Sequence, residues 1–121
     1  MVSARDPGSL LPLTPAMFHV LLALADEERH GYAVIKEVEA RTGGKVRLGA
    51  GTLYGLVKRF LADGLIEESR RRPAASEDDE RRRYYRLTPF GRRVLVAEVG
   101  RLEETVAIAR SKDFLKRIQP A

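Results

Sequence analysis

The stretch Gly51–Ile66, GTLYGLVKRFLADGLI, restricts what this chain can fold into more than any other. Leu53, Leu56, Val57, Phe60 and Leu61 recur at i, i+3, i+4, i+7 and i+8, the spacing of one buried helical face. The opposite face gathers Gly51, Thr52, Gly55, Lys58, Arg59 and Ala62, with Tyr54 on the flank between the two. Small residues there let something large approach the backbone. Hydroxyls and cations are the groups that contact phosphates and base edges. Taken alone, the helix fits an ordinary solvated face equally well, since Lys and Arg on exposed faces are commonplace. Asp63-Gly64 supplies a left-handed stop, and Leu65-Ile66 opens an extended run.

Upstream, Thr14-Pro15 is a helix start, with an N-cap hydroxyl and proline at the first helical position. That helix should run to about Ala25. Phe18, Val20, Leu21, Leu22 and Leu24 make it apolar on more than one face, as expected of a helix covered by its own domain and by a partner chain. Residues 1–13, with Pro7-Gly8 and Pro12, show no period and read as a mobile arm whose Leu10, Leu11 and Leu13 can pack on the body or on a partner. Asp26–Arg29 reads as a polar turn. HGYAVIKEVEARTGG follows as a second amphipathic helix, with Tyr32, Val34, Ile35 and Val38 inward and Gly43-Gly44 as its stop. Lys45–Leu48 is expected to form a one-bridge strand. Two helices joined by a short glycine-bearing connection, the second with a basic, small-residue face, match a helix-turn-helix.

Downstream, Leu65–Arg72 and Arg81–Leu87 are candidate strands around the charged segment RRRPAASEDDERRR, giving a β-hairpin with a long tip. Arg70, Arg71, Arg72, Arg81, Arg82 and Arg83 would repel one another on an isolated hairpin and be favourable beside a phosphate backbone. Glu77, Asp78, Asp79 and Glu80 offset them when the chain is free. A merely solvated loop remains the alternative for the tip. Thr88-Pro89 repeats the helix start, and the helix should reach about Arg110. Its Leu95, Val99, Leu102 and Val106 alternate in steps of four and three, a short coiled-coil seam. With little of its own domain left to cover, that seam is expected to pack on a partner chain together with Phe18 and Leu22. The expected organisation is mainly α with a small β-hairpin: an arm over 1–13, a winged helix-turn-helix over 14–87, and a dimerisation helix and tail over 88–121.

Composition excludes several function classes. The 121 residues suffice for one domain. Net charge is +5, and Arg41–Arg72 carries eight Lys/Arg against three Asp/Glu, which suits a polyanionic partner. No run approaches the roughly 18 apolar residues of a membrane span. No signal peptide is visible, and the absence of cysteine fits a reducing compartment, so a cytoplasmic protein is expected. His19 and His30 are too isolated to form a metal or catalytic set, and His30 reads as a capping or packing residue. No cofactor and no catalytic residue is expected.

The residues themselves resemble the PadR-like transcriptional regulators. HGYAVIKEVE, GTLYGLVKRFLADGLIE and RRRYYRLTPFGRRVL stand in that family's order and spacing, over roughly Leu13–Leu95. The resemblance implies a short-subfamily protein: a winged helix-turn-helix with one C-terminal dimerisation helix, bound as a homodimer to a palindromic double-stranded operator, usually as a repressor. It implies that the helix with the Leu53-Tyr54 pair enters the major groove, with Thr52, Tyr54, Lys58 and Arg59 facing DNA. It further implies that the wing grips backbone and that the last helix exchanges with the partner's first. The family often has Ser-Pro before Gly-Thr, where this chain has Gly49-Ala50, so a side-chain cap is missing. Some relatives respond to a small-molecule effector in an aromatic-lined central cavity. This chain has no tryptophan, and its last helix offers only Phe90 and Phe114. The competing reading is a winged-helix interaction module whose basic face docks an acidic protein.

Overall fold

The computed structural model describes residues 5–70 and 83–114. After a short 3-10 turn at Pro7–Leu10 come α1 (Pro15–Ala23), β1 (Arg29–His30), α2 (Gly31–Arg41), α3 (Ala50–Ala62), β2 (Ile66–Glu68), β3 (Tyr84–Leu87) and α4 (Pro89–Arg110). Local chemistry sets most of these boundaries. Thr14 and Thr88 each accept a backbone N–H three residues on, from Met17 and Gly91, ahead of a proline at the first helical position. His30 does the same for α2, its Nδ1 accepting from Ala33 at 3.1 Å. Gly43, Gly44 and Gly64 take positive φ after α2 and α3. Leu65 N–H closes α3 by donating to Phe60, and Gly64 N–H donates to Leu61, a paired C-terminal stop that turns the chain into β2.

The antiparallel sheet has the order β1-β3-β2, with Arg29 opposite Tyr85 and Ile66 opposite Leu87. The third strand therefore lies before α2, not at Lys45–Leu48. Arg29 and His30 lack β-former character. They are held by backbone pairing to β3 and by the Arg29 side chain, whose Nε donates to the Ala23 carbonyl at the end of α1 at 2.7 Å. Residues 45–48 form an irregular turn organised by Thr42, whose Oγ1 donates to Val38 and accepts from Val46 N–H. The helix before β1 ends at Ala23, two residues short of the expectation.

The core joins Val20 and Leu21 of α1, Val34 and Val38 of α2, Leu53, Val57 and Phe60 of α3, and Leu65 and Leu87 at the base of the wing. Two helical residues assigned inward by period lie outward instead. Tyr32 is 54% exposed, because Val34 and Val38 already fill the α2 side of the core, and Leu61 is exposed at the rim of α3. Val94 and Leu95 of α4 are buried in the chain's own core, so the exposed seam begins only at Val99. Gly91, in the first turn of α4, sits so close to β2 that a Cβ there would overlap the Leu65 carbonyl oxygen.

The segment from Arg5 to Leu13 lies along α4. Arg5 stacks its guanidinium 4.6 Å above the Phe90 ring, and Leu13 is buried. Leu13 N–H donates to Glu98 Oε2 at 2.9 Å. Glu98 is 1% exposed, and both its oxygens also accept from Arg101, at 2.5 and 3.1 Å. A buried carboxylate is tolerable only with such partners. The Arg101 hydrogen bond, helped by the Leu13 N–H, holds the Glu98 carboxyl below its ordinary value of 4.5 despite the opposing effect of burial. As pH falls, the unfolded chain protonates this residue first. The stabilisation is thus complete above about pH 4.5 and is lost as pH drops through the lower folded value. Urea unfolding at a series of pH values should show Glu98→Gln less stable than wild type at neutral pH, with the gap closing on acidification below 4.5. Parallel curves throughout would exclude a role for this carboxylate.

Candidate nucleic-acid interface

Leu53, Val57 and Phe60 seat α3 on the core, and this fixes which side looks out. Thr52, Tyr54, Lys58, Arg59 and Ala62 are all exposed, as are Gly51 and Gly55. Arg59 lies 3.8 Å from Asp63 one turn on, a loose surface pair that leaves the guanidinium outward. A Cβ added at Gly49, Gly51 or Gly55 would meet nothing. Glycine inside a helix costs about 1 kcal/mol relative to alanine, and nothing in the chain's own packing requires it at Gly55. Gly49 caps α3 without a side-chain hydrogen bond, as the missing Ser-Pro implies.

Tyr54 is held differently from the rest of the face. Its ring crosses the start of α2, and a Cβ on Gly31 would lie 2.5 Å from the Tyr54 hydroxyl oxygen. Glycine at 31 is what allows the hydroxyl to stand between α2 and the sheet. Tyr85 of β3 is close enough that burial first, and then Tyr54 and Glu68, push its phenol above the ordinary value. Gly31 escaped the sequence reading. Only its place between the capping His30 and the exposed Tyr32 hints at a packing role.

On the wing, Arg83 pairs with Glu68 across the strands at 3.3 Å. Arg86 pairs with Glu67 at 2.8 Å, a hydrogen bond that raises the guanidinium's already high value, and lies 3.7 Å from Glu28. Buried Ser69 donates to Glu28 Oε1, which ties β2 to the segment before β1. Arg71, Arg72, Arg81 and Arg82 lie outside the described residues, as does the hairpin tip. Among the described residues no cluster of His, Cys, Asp and Glu could hold a metal ion, and no helix is long and apolar enough to cross a membrane.

A helix-turn-helix with its second helix facing outward, flanked by a strand pair and followed by a long helix, defines a winged helix-turn-helix protein. Within that class the chain belongs to the PadR-like family of transcriptional regulators, whose model matches residues 20–97. Among solved structures, RosR of H. salinarum, grown from NaBr, is 30% identical with a TM-score of 0.58 over 88% of this chain and 86% of that one. A complex structure of hsRosR-S4 gives 29% identity and a TM-score of 0.65, covering 93% and 90%. A PadR-like transcription factor from Bacteroides fragilis gives 25% and 0.60, covering 78% and 88%. No curated protein is a significant match by sequence. The family's work is transcriptional regulation, not catalysis.

The Tyr54–Gly31 contact is measurable without DNA. Gly31→Ala should destabilise the protein by about 1–3 kcal/mol, the usual overpacking range, and should be neutral or stabilising once Tyr54 is alanine. A double-mutant cycle in urea reads this difference. An equal effect of Gly31→Ala in both backgrounds would show that the ring does not occupy that space in solution.

Proposed function

We propose that the chain is a homodimeric, sequence-specific DNA-binding repressor that inserts α3 of each subunit into the major groove of a palindromic operator. The observation that carries this is the outward face of α3. Thr52, Tyr54, Lys58 and Arg59 project from it beside glycines that open onto empty space. Arg83 begins the basic wing that would lie along the flanking backbone, with Arg71, Arg72, Arg81 and Arg82 expected to continue it. The dimer reading rests on α4. Val99, Leu102 and Val106 are 40%, 36% and 49% exposed along one ridge, with half-buried Phe18 of α1 beside it and half-buried Leu22 one turn on from Phe18. An apolar hollow lined by Phe18, Val99, Leu102 and Val106 lies against that ridge. A second copy would cover it, and an apolar effector would sit in the enclosed space. Two-fold symmetry would place the two α3 helices about 34 Å apart, one DNA turn.

Lys58→Ala and Arg59→Ala should weaken binding to duplex DNA while leaving thermal stability unchanged, since neither side chain packs on the core. Fluorescence anisotropy against salt separates DNA from an acidic protein as the partner, because log affinity should fall with log salt by about 0.9 per phosphate contact. Unfolding by either substitution, with affinity per folded molecule constant, would reverse the face assignment.

Leu102→Asp should place an unpaired charge in the ridge and give monomers that bind DNA about 10²–10⁴ more weakly, the loss expected when a linked second site is forfeited. Sedimentation equilibrium decides the point. A monomeric wild type at micromolar concentration, or a Leu102→Asp dimer as tight as wild type, would remove the dimer from the mechanism.

A further inference from the structure

Between α3, with its outward face, and α4, with its apolar ridge, the chain runs out through the wing and back. A much shorter route joins the two helices through one side chain. The Thr88 hydroxyl donates to the Gly64 carbonyl, 24 residues earlier, at 2.5 Å, and accepts Gly91 N–H at 3.0 Å. It therefore ties the C-terminal stop of α3 to the first turn of α4. Thr88 N–H adds a second bond, to the Leu65 carbonyl at 3.0 Å. Gly91 lies against that same carbonyl, where a Cβ would overlap the oxygen. Val94 and Leu95 also hold α4 through the apolar core. Apolar contacts are non-directional and tolerate sliding, whereas hydrogen bonds weaken steeply once misaligned. The bonded junction is what fixes the angle between the helices.

A small rotation at this point is magnified at both ends. Thr52 stands ten residues before the end of α3 at Ala62, and Val99 ten residues after the start of α4 at Pro89. At the helical rise each lies about 15 Å along its helix from the junction. Changing the spacing of two half-sites by one base pair asks a dimer for about 3.4 Å of travel and about 35° of rotation between its recognition helices. A junction closed by directional bonds resists that demand, because meeting it there means breaking them.

We propose that Thr88 is a positioning residue that sets which half-site spacing the protein accepts, by holding α3 at a fixed angle to α4. The inference rests on the homodimeric DNA reading above, and the experiment separates the two. The full chain is used to select a palindrome from a random duplex library. That duplex is then remade with one base pair inserted at its centre, and again as a single half-site. Fluorescence anisotropy gives the spacing ratio, the affinity for the selected palindrome over that for the expanded one. Because the folded fraction cancels in this ratio, a loss of stability alone cannot move it. Thr88→Asp retains an N-cap oxygen for α4 but has no proton for the Gly64 carbonyl. It should lower the ratio about two- to tenfold, the worth of the one hydrogen bond it no longer has to break. Thr88→Val, which loses cap and grip together, should lower it likewise, and Thr88→Ser should restore the wild-type value. If Thr88→Asp leaves the ratio unchanged while the palindrome still binds far more tightly than the half-site, the role of Thr88 is overturned and the dimer reading stands. If no palindrome is selected, or it binds no more tightly than the half-site, the dimer reading falls and this inference falls with it.

Discussion

The geometry of the molecule depends on the junction where α3, the base of the wing and α4 meet. Gly64 turns the chain out of α3 at φ +73°, and Thr88 N–H donates to the Leu65 carbonyl at 3.0 Å. The Thr88 hydroxyl donates to the Gly64 carbonyl at 2.5 Å while accepting Gly91 N–H, so one side chain caps α4 and grips the end of α3. Gly91 brings the α4 backbone against Leu65 without a Cβ to hold it off. Rigid coupling between the outward face of α3 and the apolar ridge of α4 follows from this contact. A backbone carbonyl pressed against a helix has no rotamer through which to relax.

A second fixed point lies farther along α4. The buried Glu98 carboxylate joins the residue just ahead of α1 to the middle of α4, so the two helices that carry Phe18, Val99 and Leu102 cannot slide independently. An apolar residue at 98 would pack as well in a bare helix pair. It would leave the Leu13 N–H, which precedes the capping Thr14, without a partner. The arm is thereby part of the fold from Arg5 onward rather than a free extension.

Features whose cause is local were legible in the sequence. Both Thr-Pro starts, the glycine stops after α2 and α3, and the buried face of α3 follow from capping chemistry and period. The His30 cap was legible as well. What could not be read depended on contacts between distant segments. Arg29 and His30 form a strand only because β3 supplies the backbone partner, and neither residue type advertises it. Tyr32 obeys the inward period of α2 yet lies outside, because that period describes a face and not how much of it the neighbours fill. Glu98 reads as one more solvated acid until the arm is laid beside it. For the α3 face, period alone placed Thr52, Lys58 and Arg59 outward. It could not reveal that Tyr54 is wedged over Gly31.

That wedge divides the α3 face into residues of unlike evolutionary freedom. Thr52, Gly55 and Lys58 lie on the outward side, away from the core, and a side chain added at Gly55 would stand in open space. Exchanges at Thr52 and Lys58 leave stability nearly untouched, and a side chain at Gly55 would add to it, so selection can explore new contact chemistry there without first acquiring a stability reserve. Tyr54 has no such latitude, because its ring and the glycine beneath it must change together. A lineage built on this scaffold would diversify along one edge of α3 and stay fixed along the other, with the fixed edge setting how the helix is aimed and the free edge what it meets.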